Sequence, residues 1–345
     1  MSEEDEADDV APPHPRETPH WFGHDEAERA LLDAYRGGRM PHSWLIGGPP
    51  GIGKATLAYR MARFVLAHPD WAAPEVQSAG SLALPLDHRA ARQVAAQGHP
   101  DLLVLERRPG DSGALRTVIA VEDVRRLVPF LGSTAGEAGW RVVVVDSADE
   151  LNAAGANALL KLLEEPPRRC LFLIVSHAPG RLLATIRSRC RRLLLRPVAP
   201  ADIGRAVGAA LGRSPDDAAV QKAAAAADGS VAQAIALIGG PLLAVRERVI
   251  ELLELLPATD PRAMHALGES LERADRLVLA TFVDVVRDWL SARLAGELGA
   301  GGRLMRLAQA WDNVNRTARE VETYNLERKP LVFKVFGWLA EAARG

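Results

Sequence analysis

Cysteine is nearly missing from this chain of 345 residues, which has two, Cys170 and Cys190. Two thiols cannot build a disulfide framework or a four-thiolate metal site. A reducing, cytoplasmic setting is therefore expected. No stretch approaches the roughly 18 uninterrupted apolar residues of a membrane span, so no membrane partner is expected. The opening, MSEEDEADDV, has neither a basic flank nor an apolar core, which argues against a signal peptide. Lysine is scarce too, 5 of the 42 basic residues, a bias to which no function attaches. No fixed-period repeat is visible.

What is present is ordinary globular material, 48% hydrophobic and 25% charged, enough for two or three domains. The net charge of −2 is unevenly spread: Glu3, Glu4, Asp5, Glu6, Asp8 and Asp9 contribute −6, leaving about +4 elsewhere. This like-charge block runs into Pro12, Pro13 and Pro15, and residues 1–18 read as a disordered acidic tail.

From Trp44 the chain alternates short apolar runs with helical patterns. The runs are SWLIGG (43–48), DLLVLE (101–106), RVVVVD (141–146), CLFLIV (170–175) and RLLLRP (192–197). Helix-like segments lie at 54–67, 121–131 and 153–165. Near-continuous apolar strands alternating with helices predict a doubly wound α/β layer with a parallel sheet covered on both faces. Residues 70–100 are poorly patterned and read as an insertion. After Pro197 the chain turns alanine-rich, with Gly and Pro about every dozen residues, which predicts three short helices up to 240. Beyond Pro241, amphipathic helices are expected at 242–256, 260–296, 303–324 and 330–343. The boundaries read as 19–197, 198–240 and 241–345.

Residues Gly48, Pro49, Pro50, Gly51, Ile52, Gly53, Lys54, Ala55 and Thr56 spell a phosphate-binding loop with one fault. The loop follows a predicted strand and opens a predicted helix. Its glycines let backbone N–H groups turn toward a phosphate, the helix start adds partial positive charge, and Lys54 reaches the outer phosphates. A plain Gly/Pro turn is the bland alternative. The hydroxyl that should follow the lysine and ligate Mg²⁺ is replaced by Ala55. Thr56 lies about 100° further round the helix and is expected to point elsewhere. Weak binding of ATP or ADP is therefore expected, without metal positioning. The run RVVVVDSADEL ends in Asp146, which can hold Mg²⁺ through water or simply cap the next segment. The position after it, where a water-activating glutamate would stand, is Ser147. Asp149 and Glu150 are expected to be carried away by the turn that starts there.

ANALLKLLEEPP (156–167) followed by ATIRSRC (184–190), after such a loop and an Asp-ended strand, resembles the clamp-loader branch of the AAA+ ATPases. Taken alone, 156–167 is an amphipathic helix stopped by two prolines, and Arg189 is one arginine among many. HPDLLVLE (99–106) and PHSWLIGGPPG (41–51) are similar to the delta-prime family of bacterial DNA polymerase III subunits. The likeness spans about 19–345 and is strongest over 41–197. It implies a P-loop AAA+ core, a small helical lid at 198–240 and an all-α collar at 241–345 that packs into a ring. It implies a stator-like subunit that helps to load a sliding clamp onto primed DNA. Arg189 would be an arginine finger acting in trans on a neighbour's nucleotide, with Ser188 and Cys190 shaping its turn. The partners implied are the motor (gamma/tau) and delta subunits, with the clamp and primer-template DNA reached through the complex. In the motor subunit a sensor arginine follows a Gly-Ser in the lid; here that position is Ala232. The zinc module frequent in the family needs four cysteines, whereas 67–100 has none. His68, His88 and His99 read as surface residues, so no zinc and no other metal is expected. The chain is not strongly basic, so independent DNA binding is expected to be weak. Two alternatives stay open. An active AAA+ motor, such as the loader's own ATPase subunit or a junction-helicase motor, has Ala55, Ser147 and Ala232 against it. A P-loop kinase or metabolic enzyme has the SRC triplet, EEPP and the all-helical last third against it.

Overall fold

A computed structural model describes residues 13–110, 115–132, 139–238, 242–272, 276–296, 301–324 and 326–344. The chain divides into two compact units, Met1–Ile235 and Ala236–Gly345.

The first unit opens with α1 (Asp25–Arg36), β1 (Ser43–Gly47) and α2 (Lys54–Ala67). Two short helices follow, α3 (Pro74–Ser78) and α4 (Arg89–Ala95), and then β2 (Leu102–Leu105). Next come α5 (Val121–Arg125), α6 (Leu127–Gly132), β3 (Arg141–Val145), α7 (Ala153–Glu164) and β4 (Cys170–Ser176). The sheet closes with α8 (Ala184–Arg189) and β5 (Arg191–Leu194). All five strands are parallel, in the order β2-β3-β4-β1-β5. β3 shows why: four consecutive valines are stiff at χ1 and pack well on a pleated surface, and every residue of the strand is buried. Leu45, Val143, Val145, Phe172 and Ile174 point from the sheet into a core completed by Leu127 of α6, Leu159 and Leu163 of α7 and Ile186 of α8. Three helices follow the sheet within or across the end of this unit: α9 (Pro200–Leu211), α10 (Ala218–Ala226) and α11 (Val231–Ile238). α9 starts on Pro200, whose missing N–H costs nothing at a first turn, and ends on Gly212 at φ +65°. The division between units falls inside α11 rather than at the expected 240, because Val198 N donates to Gly229 O (3.0 Å) and Ala232 N to Gly51 O (3.2 Å), tying this helical segment to the sheet layer.

The second unit holds α12 (Leu242–Glu254), α13 (Pro261–Glu272), α14 (Arg276–Gly296), α15 (Gly301–Tyr324) and α16 (Lys329–Ala343). They pack on one another, with Phe282 of α14 and Phe336 of α16 in contact at 6.5 Å between ring centres.

Several expectations are corrected. Residues 13–18 are not a disordered tail: buried Arg63 of α2 donates to Arg16 O (2.7 Å) and Thr18 O (2.9 Å), and buried Arg60 holds the next residue through Pro19 O. Residues 1–12 lie outside the described residues. The single helix expected at 121–131 is broken after Arg125, because Pro129 has no N–H for the Arg125 carbonyl and its ring clashes with it. The long helix expected at 260–296 is two, α13 and α14, with 273–275 outside the described residues. Residues 70–100 form α3 and α4 and bury Val76, Leu82 and Val94. α1 is an element the apolar patterning did not single out.

Candidate functional site

The loop between β1 and α2 takes its shape from glycines in a backbone region that L-residues avoid. Gly51 has φ +75° and Gly53 +93°. A Cβ on Gly51 would lie 2.0 Å from Ser230 Oγ, so the loop packs closely under the start of α11. The N–H groups of Lys54, Ala55 and Thr56 open α2 and have no acceptor within the helix. Beside this loop stand the carboxyl ends of β3 and β4, where an open parallel sheet binds its ligands.

These parts enclose a cavity of about 450 Å³. Gly51, Ile52, Gly53, Lys54, Ala55 and Thr56 form one wall, and Asp146 stands on another. Gly48, Pro49 and Pro50 shape the loop behind it; Gly48 N donates to Ser176 O (3.2 Å), and the Lys54 ammonium donates to Pro49 O. Thr56, expected to point elsewhere, also borders the cavity, reaching it from one residue further along α2. Trp21, Phe22, Ala206, Ala210, Ala232 and Ile235 also line it. The cavity thus combines apolar surface with a phosphate-type loop, the two kinds of contact a nucleotide uses.

Electrostatics there are dominated by burial. Lys54 is pushed down to about 8 by loss of water, against the pull of Asp146 and Asp149. Asp146 is pushed up to about 6, first by burial and then by Glu106 and Glu150, with Lys54 opposing. Ser147 is 3% exposed and its Oγ meets no hydrogen-bond partner among the described residues. A neutral, buried hydroxyl cannot serve as the base that activates water.

Asp149 corrects an expectation. It is not carried away: its carboxylate accepts from Ser176 Oγ (2.9 Å), His177 N (2.6 Å) and Ala178 N (3.1 Å) at the end of β4. Burial alone would raise its pKa, but these bonds hold it below the ordinary carboxylate value. It thereby fixes His177, a cavity residue that motif reading missed. Burial and Lys54 lower the His177 pKa, so its imidazole favours the neutral form. The signal was its place directly after the CLFLIVS run. Glu150 does turn away, to Arg107 (2.9 Å).

Arg189 is not brought to this cavity. Ser43, at the opposite end of β1 from the loop, donates its hydroxyl to Arg189 O (2.7 Å). The guanidinium bonds Glu164 Oε1 (2.7 Å) and Thr185 O (3.0 Å). Ser188 Oγ also bonds Thr185 O (3.1 Å), and Cys190 is buried with its thiol pKa raised by burial. Of the three histidines, His88 Nδ1 caps α4 by accepting from Ala90 N (3.2 Å), and its ring lies 6.4 Å from that of His68. His99 Nδ1 accepts from Asp101 N (3.1 Å).

A five-stranded parallel sheet in this order, a phosphate loop after the interior strand β1, an acidic end on β3 and a helical segment over the loop define a P-loop protein of the AAA+ class. Residues 23–199, a little over half of the chain, match the family described as DNA polymerase III, delta subunit, and the chain belongs to that family. It is 40% identical over 156 residues to the DNA polymerase III subunit delta' of Pseudomonas aeruginosa, covering 45% of this chain and 43% of that protein. It is 36% identical over 167 residues to the DNA polymerase III subunit delta' of Escherichia coli, covering 48% and 46%. The matched region thus spans less than half the length of these curated relatives. A DNA polymerase III gamma subunit-related protein of Thermotoga maritima aligns over 91% of this chain and all of its own, at 16% identity and a TM-score of 0.44.

Proposed function

We propose that this chain is a stator-like subunit of the delta-prime kind in a sliding-clamp loader. It joins motor (gamma/tau) and delta subunits in a ring and helps to place the clamp on primed DNA. It binds ATP or ADP weakly and does not hydrolyse it. Arg189 acts in trans, stabilising charge on the phosphates of a nucleotide held by a neighbouring motor subunit.

One observation carries this reading: the phosphate loop is fully built and roofed, yet both hydrolytic groups are missing. Ala55 offers no hydroxyl to Mg²⁺, and Ser147 is a buried neutral residue where the carboxylate base belongs. The position of Arg189 supports the second half. It lies at the opposite end of β1 from the chain's own loop and so is available to a different subunit. DNA contact is made by the assembled complex, since the sequence is not strongly basic, with a net charge of −2.

The test is an ATPase assay on the purified chain, with and without primed DNA. Turnover at background in both is expected. DNA-stimulated turnover that disappears in Lys54→Ala would identify a motor instead.

A further inference from the structure

Glu164 stands where a carboxylate is electrostatically misplaced. The carbonyl end of a helix is partially negative and favours cations. Yet α7 closes on Glu164, Glu165 follows as its cap, and Pro166 and Pro167 keep the helix from continuing. Proteins break such local rules mainly at functional or strained sites. Lys161 supplies one cation in the same last turn, and Arg189 a second, its Nη2 2.7 Å from Glu164 Oε1.

That pair does little for the fold. Its side chains are 35% and 44% exposed, and ion pairs so exposed contribute little. What it does is restrict a long side chain. The Arg189 backbone is pinned to the start of β1 by the buried Ser43 hydroxyl. The guanidinium is held at two points, Nη1 on Thr185 O at 3.0 Å and Nη2 on Glu164. A guanidinium has five N–H donors, so three stay free to meet an outside acceptor. Arg187, two residues earlier, has a long contact of 3.3 Å to Gly180 O and, among the described residues, no carboxylate partner.

We infer that Glu164 is the positioning residue for Arg189: it fixes the guanidinium fork before a neighbour's phosphates arrive, so that little rotational freedom is lost on engagement. The inference rests on the reading of Arg189 as a finger acting in trans. The carboxylate also offsets the arginine's charge, which would weaken its pull on phosphate. Because the pair is exposed, that offset is weak.

The test uses the whole loader, reassembled with its motor and delta subunits, the clamp and primed DNA. The quantity read is the ATP turnover that depends on Arg189, the difference between the unaltered complex and one carrying Arg189→Ala. Glu164→Ala should lower that quantity about two- to fivefold, through kcat with KM for ATP unchanged. Glu164→Gln keeps an acceptor oxygen in place and should stay close to the unaltered complex. In the Arg189→Ala background, Glu164→Ala should do nothing further. An equal loss in both backgrounds would make Glu164 a structural residue of α7 and overturn the inference. A rise in turnover would show that the pair restrains the finger, and would overturn it too. A silent Glu164→Ala beside a damaging Arg189→Ala would remove Glu164 and leave the finger. A silent Arg189→Ala would remove the finger reading itself, and this inference with it.

Discussion

Asp146 and Lys54 carry opposite charges in one cavity, so each should drive the other further into its ionised form. Instead Asp146 rises to about 6 and Lys54 falls to about 8, because loss of water exceeds their attraction at both groups. The folded pKa of Asp146 lies above the ordinary carboxylate value of 3.8, so the folded state binds more protons between pH 4 and 6. Stability from this group is full below pH 4 and is lost as pH rises through about 6. Asp146→Asn should therefore stabilise the protein by about 1–2 kcal/mol at pH 8, where the buried carboxylate is forced to ionise. The gain should shrink between pH 6 and 4. Denaturant melts across that range measure it, and a destabilised variant at pH 8 would show that the carboxylate is held by bonds, not merely tolerated. Residues at this scale were legible where a motif fixes their place by local geometry. Ala55 and Ser147 each follow an anchor by one position, and their absence of chemistry could be read directly. Asp149 and His177 were not legible, because their meeting depends on β3 and β4 lying side by side.

Elements were legible where the local code was strong. RVVVV can hardly be anything but a strand, and EEPP stops a helix wherever it falls. Pro129 carried the information that splits 121–131, but the apolar period on either side of it read as continuous. The N-terminal segment was hidden for a different reason. Its low-complexity start suggests disorder, while what orders residues 13–19 is far along the chain, Arg60 and Arg63 of α2. Arg60 in turn is held by Glu28 of α1, through Nε at 3.0 Å and Nη2 at 2.7 Å, and Glu28 also accepts from Leu82 N at 3.1 Å. One carboxylate thus joins α1, α2 and the segment before α4, with side chains only 5% and 9% exposed. Glu28→Ala leaves a buried guanidinium without its anion and should cost about 3–5 kcal/mol. Glu28→Leu combined with Arg60→Met removes both charges and should recover most of that. Urea melts of the three proteins check it. If the single and double variants are equally unstable, the loss comes from packing rather than from an orphaned charge.

Across the whole molecule, the two compact units have separate sources of stability. Among the described residues, the core under the sheet draws on positions from Leu45 to Cys190, and the cavity on positions from Pro13 to Ile235. α12 to α16 bury their own set, including Val286, Leu290, Val332 and Phe336. A domain of some 235 residues buries roughly 70–75% of the surface its unfolded chain exposes, enough to fold alone. The cut must respect α11, since Ala232 N bonds Gly51 O and Ser230 Oγ accepts from Gln233 N (3.2 Å) at its start. A fragment ending at Ile238 keeps that helix entire. It should unfold in one cooperative transition and retain whatever nucleotide affinity the full chain has, with Trp21 at the cavity wall as the fluorescent reporter. Under the proposed function it should also fail to enter the loader, because the helices that would pack into the ring are gone. Size-exclusion chromatography with the motor and delta subunits measures this. A folded fragment that still enters the complex would place assembly in the sheet-bearing unit. A fragment that melts without cooperativity would show that the first unit depends on the second.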